Sequence, residues 1–225
     1  MCERYVLPGQ IDTEREFEPA QRWWKFSSNF NVSFPQYVPV LRAHQGVVEG
    51  VMMRWGLVPP EAEGVPLPDE RPDFDFEQLG STLESRDPWL NSQRCIIPVA
   101  GFYAWKLTRA GYRQPYFIGL NDRNVFGIAA FWTRSEAGED DVIESFSIIT
   151  VPANPLLTEV VGAEGRMPAI LRRKDYGTWF TSTPVQAKAA LHAYPAKWMY
   201  GHAVSPRVNS KTFNDPSLIQ PIAAG

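Results

Sequence analysis

Cys95-Ile96-Ile97-Pro98-Val99-Ala100-Gly101-Phe102-Tyr103-Ala104-Trp105-Lys106 is the stretch that decides the fold. Its Val, Ile, Phe, Tyr and Trp residues suit a pleated, buried surface and show no helical period, so it reads as strand. Comparable runs flank it on both sides: Tyr37–Ala43, Val47–Val58, Pro115–Leu120, Val125–Thr133, Val142–Val151 and Met199–Val208. Turn residues separate them, and Asn121 with Asp122 suits the connection from one strand to the next. Helical patterns are fewer. Glu14–Phe26 is a candidate that Pro19 interrupts or shortens. Asn154–Val161 begins with a good N-cap followed by proline at the first helical position. Lys174–Phe180 and Val185–Tyr194 follow, divided at Ser182-Thr183-Pro184. Pro59–Asp75, rich in Pro, Asp and Glu, reads as an exposed loop. Strands in the middle with helices toward the end predict an α+β fold, a mostly antiparallel, curved or barrel-like sheet with flanking helices. The 225 residues make one domain, 1–225.

Composition narrows the function classes. With 44% hydrophobic and 21% charged residues the chain can bury a core and is not built for disorder. No apolar run approaches the roughly 18–20 residues of a membrane span, and Glu3-Arg4 breaks any signal-peptide pattern. Two cysteines, Cys2 and Cys95, make no disulfide framework, which points to a reduced, cytoplasmic setting. Net charge −3 argues against coating duplex DNA with bulk positive charge, yet allows a local basic groove for a short single strand. His44, His192 and His202 have no metal-ligand spacing with the cysteines, and neither a P-loop nor a dinucleotide fingerprint is present. No metal or cofactor is expected.

Cys2 carries the most chemistry. Removal of Met1 gives a residue with an α-amine titrating near ~8 and a thiol near ~8.5 on adjacent carbons, both partly nucleophilic at neutral pH. The amine condenses with an aldehyde to an imine, and the thiol closes onto the imine carbon as a five-membered thiazolidine. A ring-opened abasic site in DNA offers such an aldehyde. An isolated Met-Cys start is most simply incidental, so the case rests on the rest of the chain. Met1-Cys2-Glu3-Arg4-Tyr5, Asn31-Val32-Ser33-Phe34-Pro35, Trp55-Gly56-Leu57-Val58-Pro59, Arg94-Cys95-Ile96-Ile97-Pro98 and Gly101-Phe102-Tyr103-Ala104-Trp105 follow in order. After them come Gln114-Pro115-Tyr116-Phe117-Ile118, Thr150 with Ala153-Asn154, Arg166-Met167-Pro168-Ala169-Ile170-Leu171, and Val204-Ser205 with Val208-Asn209. In this order the segments resemble the SRAP family of abasic-site-processing proteins. The resemblance implies the SRAP fold, a groove for single-stranded DNA, a thiazolidine crosslink to abasic sites through Cys2, and self-removal of a short leader where one is present.

Several positions depart from the family pattern. The glycine after the cysteine is Glu3, and the Asn-Ala-Arg-x-Glu segment is Gly80-Ser81-Thr82-Leu83-Glu84. The glutamate of Gly-Phe-Tyr-Glu-Trp is Ala104, which transfers no proton, and the histidine before Arg-Met-Pro falls at Glu164. Glu164 is the candidate carboxylate substitute in catalysis beside Cys2; the alternative is a solvated loop residue. Arg4 and Arg166 suit paired hydrogen bonds to phosphate. Phe34 and Trp105 are candidates for stacking on an unpaired base, or core aromatics. Trp55 and Cys95 read as core, His202 as structural, and Arg172-Arg173-Lys174 as a solvated helix start. Three readings remain: a protein that binds single-stranded DNA and crosslinks abasic-site DNA, a binding or interaction module that has lost catalysis, and a thiol-dependent peptidase acting on itself. The first requires Cys2 and Arg166 to face one groove.

Overall fold

The computed structural model describes residues 3–59, 72–136 and 142–222. Its elements in chain order are β1 (Arg4–Leu7), α1 (Gln10–Phe17), β2 (Gln21–Arg22), β3 (Asn29–Ser33), β4 (Tyr37–His44), β5 (Val47–Trp55) and β6 (Asp73–Asp75). Next come α2 (Leu83–Leu90), β7 (Arg94–Val99), β8 (Gly101–Leu107), β9 (Arg113–Leu120), β10 (Phe126–Glu136) and β11 (Val142–Pro152). The chain continues through α3 (Pro155–Val161), β12 (Arg166–Pro168), β13 (Ile170–Leu171), α4 (Tyr176–Thr181), α5 (Pro184–Ala189) and β14 (Met199–Ala203).

The larger sheet runs β12-β11-β10-β7-β4-β5-β2, and β11 also pairs with β5. That last pairing, parallel at Ser145↔Arg54 and Phe146↔Trp55, joins the two ends of the path β5-β4-β7-β10-β11 into a closed barrel. Closure removes the unpaired edges an open sheet would present. The interior holds aromatics at contact distance: Trp55 lies parallel to Phe146 with ring centroids 6.4 Å apart, and Tyr5 tilts against Trp55 at 5.2 Å. Trp55 is fully buried and its indole N–H donates to Pro72 O at 2.7 Å, so it is a core residue. The α+β, barrel-like architecture with flanking helices is the one expected.

The second sheet, β14-β9-β8-β1-β3, is antiparallel throughout and packs one face on the barrel. Alternation along its strands is plain. Tyr5, Leu7, Phe102, Ala104, Ile118 and Leu120 join the main core. Val6, Tyr103 and Phe117 join a smaller cluster with Val204, Val208 and Leu218 on the other face. This is the two-residue period of strands, and it sends Ala104 and Trp105 to opposite sides.

The run Cys95–Lys106 is therefore two strands in two sheets, with Ala100 N–H bonded to Val6 O at 2.8 Å at the crossing. Gly101 makes the crossing possible: a Cβ there would stand 2.3 Å from the Phe117 ring and 2.7 Å from Ile118 O. Gly101→Ala is expected to destabilise the fold by about 1–3 kcal/mol through overpacking against backbone that cannot give, checked by urea unfolding. The expected helix Glu14–Phe26 is instead Gln10–Phe17. Pro19 bars its continuation, Glu18 takes φ 47°, and Trp24 lies flat on Gly50 of β5. The expected loop Pro59–Asp75 ends in a strand, since Asp73–Asp75 pairs with Ile148–Thr150; residues 60–71 lie outside the described residues. Met199–Val208 is strand only to Ala203, Pro206 then opening a 3-10 turn to Asn209.

Candidate nucleic-acid interface

Arg4 shares the outer face of β1 with Val6 and stands opposite Ser33 of β3. Its guanidinium donates to Asn31 Oδ1 at 2.9 Å and to Asn209 O at 2.9 Å. Asn31 in turn donates to Ser210 O and Phe213 O, both at 2.9 Å, tying the segment after β14 to β3. The Trp105 indole N–H donates to Asn209 Oδ1 at 2.8 Å. Residues far apart in sequence thus meet around one cleft. Glu3, Arg4, Trp105, Arg113 and Asn209 line a pocket of about 250 Å³, and Glu3, Trp105 and Arg113 with Val161 line a second of about 200 Å³ beside it.

The charge state of this cleft follows from its contacts. Among the described residues both hydrogen-bond acceptors of Arg4 are neutral, so they orient its charge without cancelling it. Burial pulls the Arg4 guanidinium below its ordinary value, opposed by the Glu3 carboxylate and the Tyr103 phenol. The Tyr103 phenol is itself driven up by burial, and its O–H donates to Phe30 O at 2.7 Å. Arg113, exposed at the start of β9, adds a solvent-facing cation to the wall.

The other site candidates lie in different surroundings. Arg166, on β12, donates to Asp75 Oδ1 and Thr150 O, both at 2.6 Å, and stands 6.0 Å above the Phe76 ring. Its charge is paired there with the Asp75 carboxylate. Glu164 is exposed in the turn between α3 and β12. That turn is closed by Gly165 N–H to Gly162 O at 3.0 Å, and α3 reaches the cleft through Val161. Phe34 packs edge-on to Trp55 at 6.2 Å, and Lys211 donates to its carbonyl. Cys2, and with it the expected meeting of Cys2 and Arg166, lies outside the described residues.

Of the substituted positions, Ala104 is 4% exposed with its methyl in the main core, one residue before Trp105 on the cleft side. Gly80 takes φ 78° and its N–H donates to Ser85 Oγ, while Thr82 precedes α2 with its hydroxyl 2.9 Å from Ser85 Oγ. Cys95 is fully buried, and burial drives its thiol well above the usual range, which makes it unreactive. His202 bonds Ile219 O at 2.8 Å and stacks on Tyr200, a structural role. Arg113 was not singled out from sequence. Its only signal is its place opposite Leu107 in the β8–β9 hairpin that carries Trp105.

Among the described residues no helix is long and apolar enough to cross a membrane. The family described as SOS response associated peptidase (SRAP) matches residues 1–211. The abasic site processing protein YoqW of Bacillus subtilis is 32% identical over 226 residues, covering 98% of this chain and 99% of its own. The chicken abasic site processing protein HMCES is 29% identical over 199 residues, covering 77% of this chain and 57% of its own. Among solved structures, a Bacteroides thetaiotaomicron protein superposes with TM-score 0.83 at 19% identity over 99% of this chain and 100% of its own. A Bordetella bronchiseptica protein does so with TM-score 0.78 at 25% identity over 91% of this chain and 100% of its own. With nearly the whole chain matched in sequence and the barrel with its second sheet matched in space, this protein belongs to the SRAP family.

Proposed function

We propose that this protein processes abasic sites: it binds single-stranded DNA in the Arg4–Trp105 cleft and joins the open-chain sugar to Cys2. The observation that carries this reading is the convergence of Arg4, Asn31, Trp105 and Asn209, from four separate segments, on one cleft lined by Glu3, the residue bonded to Cys2. Arg4 supplies an oriented positive charge for a phosphate. Trp105, half-buried and held by Asn209 through its N–H, offers a fixed ring for an unpaired base. Phe34 is the second candidate stacking ring. Arg166 contributes to phosphate binding only in competition with Asp75, so Arg4 is the dominant contact.

The chemical step balances without a cofactor. With Met1 removed, the Cys2 amine adds to the aldehyde and expels one water as the imine forms. The thiol then adds across the C=N bond, sulfur to carbon and its proton to nitrogen. Ring closure needs the three groups held together, which supplies much of the acceleration. Glu164 is the carboxyl candidate for proton transfer, entering from the turn after α3. The methyl of Ala104 supports a second reading, a binding module without crosslinking, because the position is buried and carries no transferable proton. Abasic single-stranded DNA separates the two: a heat-stable product supports crosslinking, and reversible binding alone supports the module.

Binding has its own test. Single strands are expected to bind more tightly than duplex, because unpaired bases stack on the exposed ring faces. Arg113→Ala is expected to weaken binding evenly across sequences and to lower the slope of log affinity against log salt by about 0.7, the loss of one phosphate contact on a single strand. Its exposure keeps the fold intact. Fluorescence anisotropy across a salt series measures both; equal affinity for single strand and duplex, with an unchanged slope in Arg113→Ala, would show that the cleft does not bind the strand.

A further inference from the structure

The basic run Arg172–Lys174 is more than a solvated helix start. The antiparallel pairing Gly127↔Leu171 between β10 and β13 brings the residue after Leu171 beside the segment that enters β10. Arg123 lies in that segment. Arg123, Arg172, Arg173 and Lys174 therefore meet at an open pocket of about 390 Å³, with Tyr194 and Trp198 as further walls. None of these residues lines the Arg4–Trp105 cleft.

Charge is unbalanced here in a chain whose net charge is −3. Asp122, the one carboxylate in the pocket wall, is taken by Arg123 at 2.8 Å. Glu16 reaches Arg173 at 3.6 Å from an adjoining hollow. Two carboxylates thus face four cations. Among the described residues Arg172 Nε and one Nη of Arg123 are buried donors with no acceptor, which leaves both to an acceptor from outside even though Asp122 pairs with the rest of the Arg123 fork. Arg172 stands 5.7 Å and Lys197 5.2 Å above the Trp198 ring, which holds both cations at the rim, and the ring remains 38% exposed. Guanidinium forks around a concave wall, with an aromatic edge, match the phosphate and base of a nucleotide.

We propose that this pocket is a second, phosphate-binding site, separate from the cleft, which takes the phosphate of a nucleotide, either free or within a DNA strand that extends beyond the cleft. The proposal stands independently of crosslinking.

Calorimetric titration with pyrophosphate, and with a short and a long oligo-dT, tests it on the full chain. Two variants are used: Arg172→Gln with Lys174→Gln, and Arg173→Glu, whose side chain is 59% exposed and whose reversal leaves the core untouched. Pyrophosphate affinity is expected to fall at least about tenfold in both variants, the scale of one lost charge-assisted hydrogen bond. If the phosphate belongs to DNA, the long strand loses affinity in the same variants while the short one does not. If it belongs to a free nucleotide, both strands bind as before. Wild-type protein that binds no pyrophosphate, together with unchanged long-strand affinity in both variants, would overturn the proposal.

Discussion

Cys2→Ala is expected to leave no heat-stable product with abasic single-stranded DNA while retaining reversible binding. The reason is chemical. Alanine keeps the α-amine, so an imine still forms, but without the thiol there is no ring closure and the imine hydrolyses. Cys2→Ser keeps a hydroxyl, a far weaker nucleophile than a thiolate, and is expected to behave similarly. Glu164→Gln tests the proton-transfer assignment: its rate should fall by about 10²-fold or more if this carboxyl serves as general acid or base, and hold if Glu164 is only a solvated turn residue. Denaturing gels over a time course distinguish the three variants. A product of undiminished yield in Cys2→Ala would place the linkage on another residue.

The largest expected loss of stability lies away from the cleft. Arg94 is 1% exposed, and its guanidinium donates to the carbonyls of Trp179, Phe180 and Ser182 at the C-terminal end of α4. It also faces the rings of Trp89 and Trp179 at 5.6 and 5.8 Å. Burial pulls its pKa down, yet its charge suits the negative end of a helix and carbonyls that would otherwise be unpaired. Arg94→Met keeps most of the volume and leaves those carbonyls without a donor. A loss of about 3–5 kcal/mol follows, with Tm lower by roughly 10 °C in thermal unfolding. A change below about 1 kcal/mol would show that the carbonyls are readily satisfied by solvent.

Much of this architecture was legible because strand periodicity and turn residues report directly on burial. The failures have particular causes. Cys95–Lys106 is buried on both sides of its crossing point, so no polar residue marks where one sheet ends and the next begins. Asp73–Asp75 is too polar and too short to read as strand; it pairs because β11 runs past β5 and offers it an edge. In the cleft, Arg4 and Trp105 were recognisable as binding candidates, whereas their common dependence on Asn209 was not, since 205 residues separate Arg4 from the carbonyl it bonds. Asn31, Arg94, Asn154 and Asn209 all stand in the segments that carry the family resemblance. Their roles divide: Asn31 and Asn209 build the cleft, while Asn154 caps α3 and Arg94 anchors α4. Arg172–Lys174 read as ordinary surface charge because the pairing that gathers it with Arg123 is a tertiary contact.

Intact mass spectrometry after incubation with an abasic single strand decides whether the protein joins itself to the sugar. One covalent species is expected, whose mass is that of the chain lacking Met1 plus the strand, less one water, and which is absent in Cys2→Ala. Protein shown to lack Met1 that binds the strand and yet gives only free protein and free DNA would contradict it.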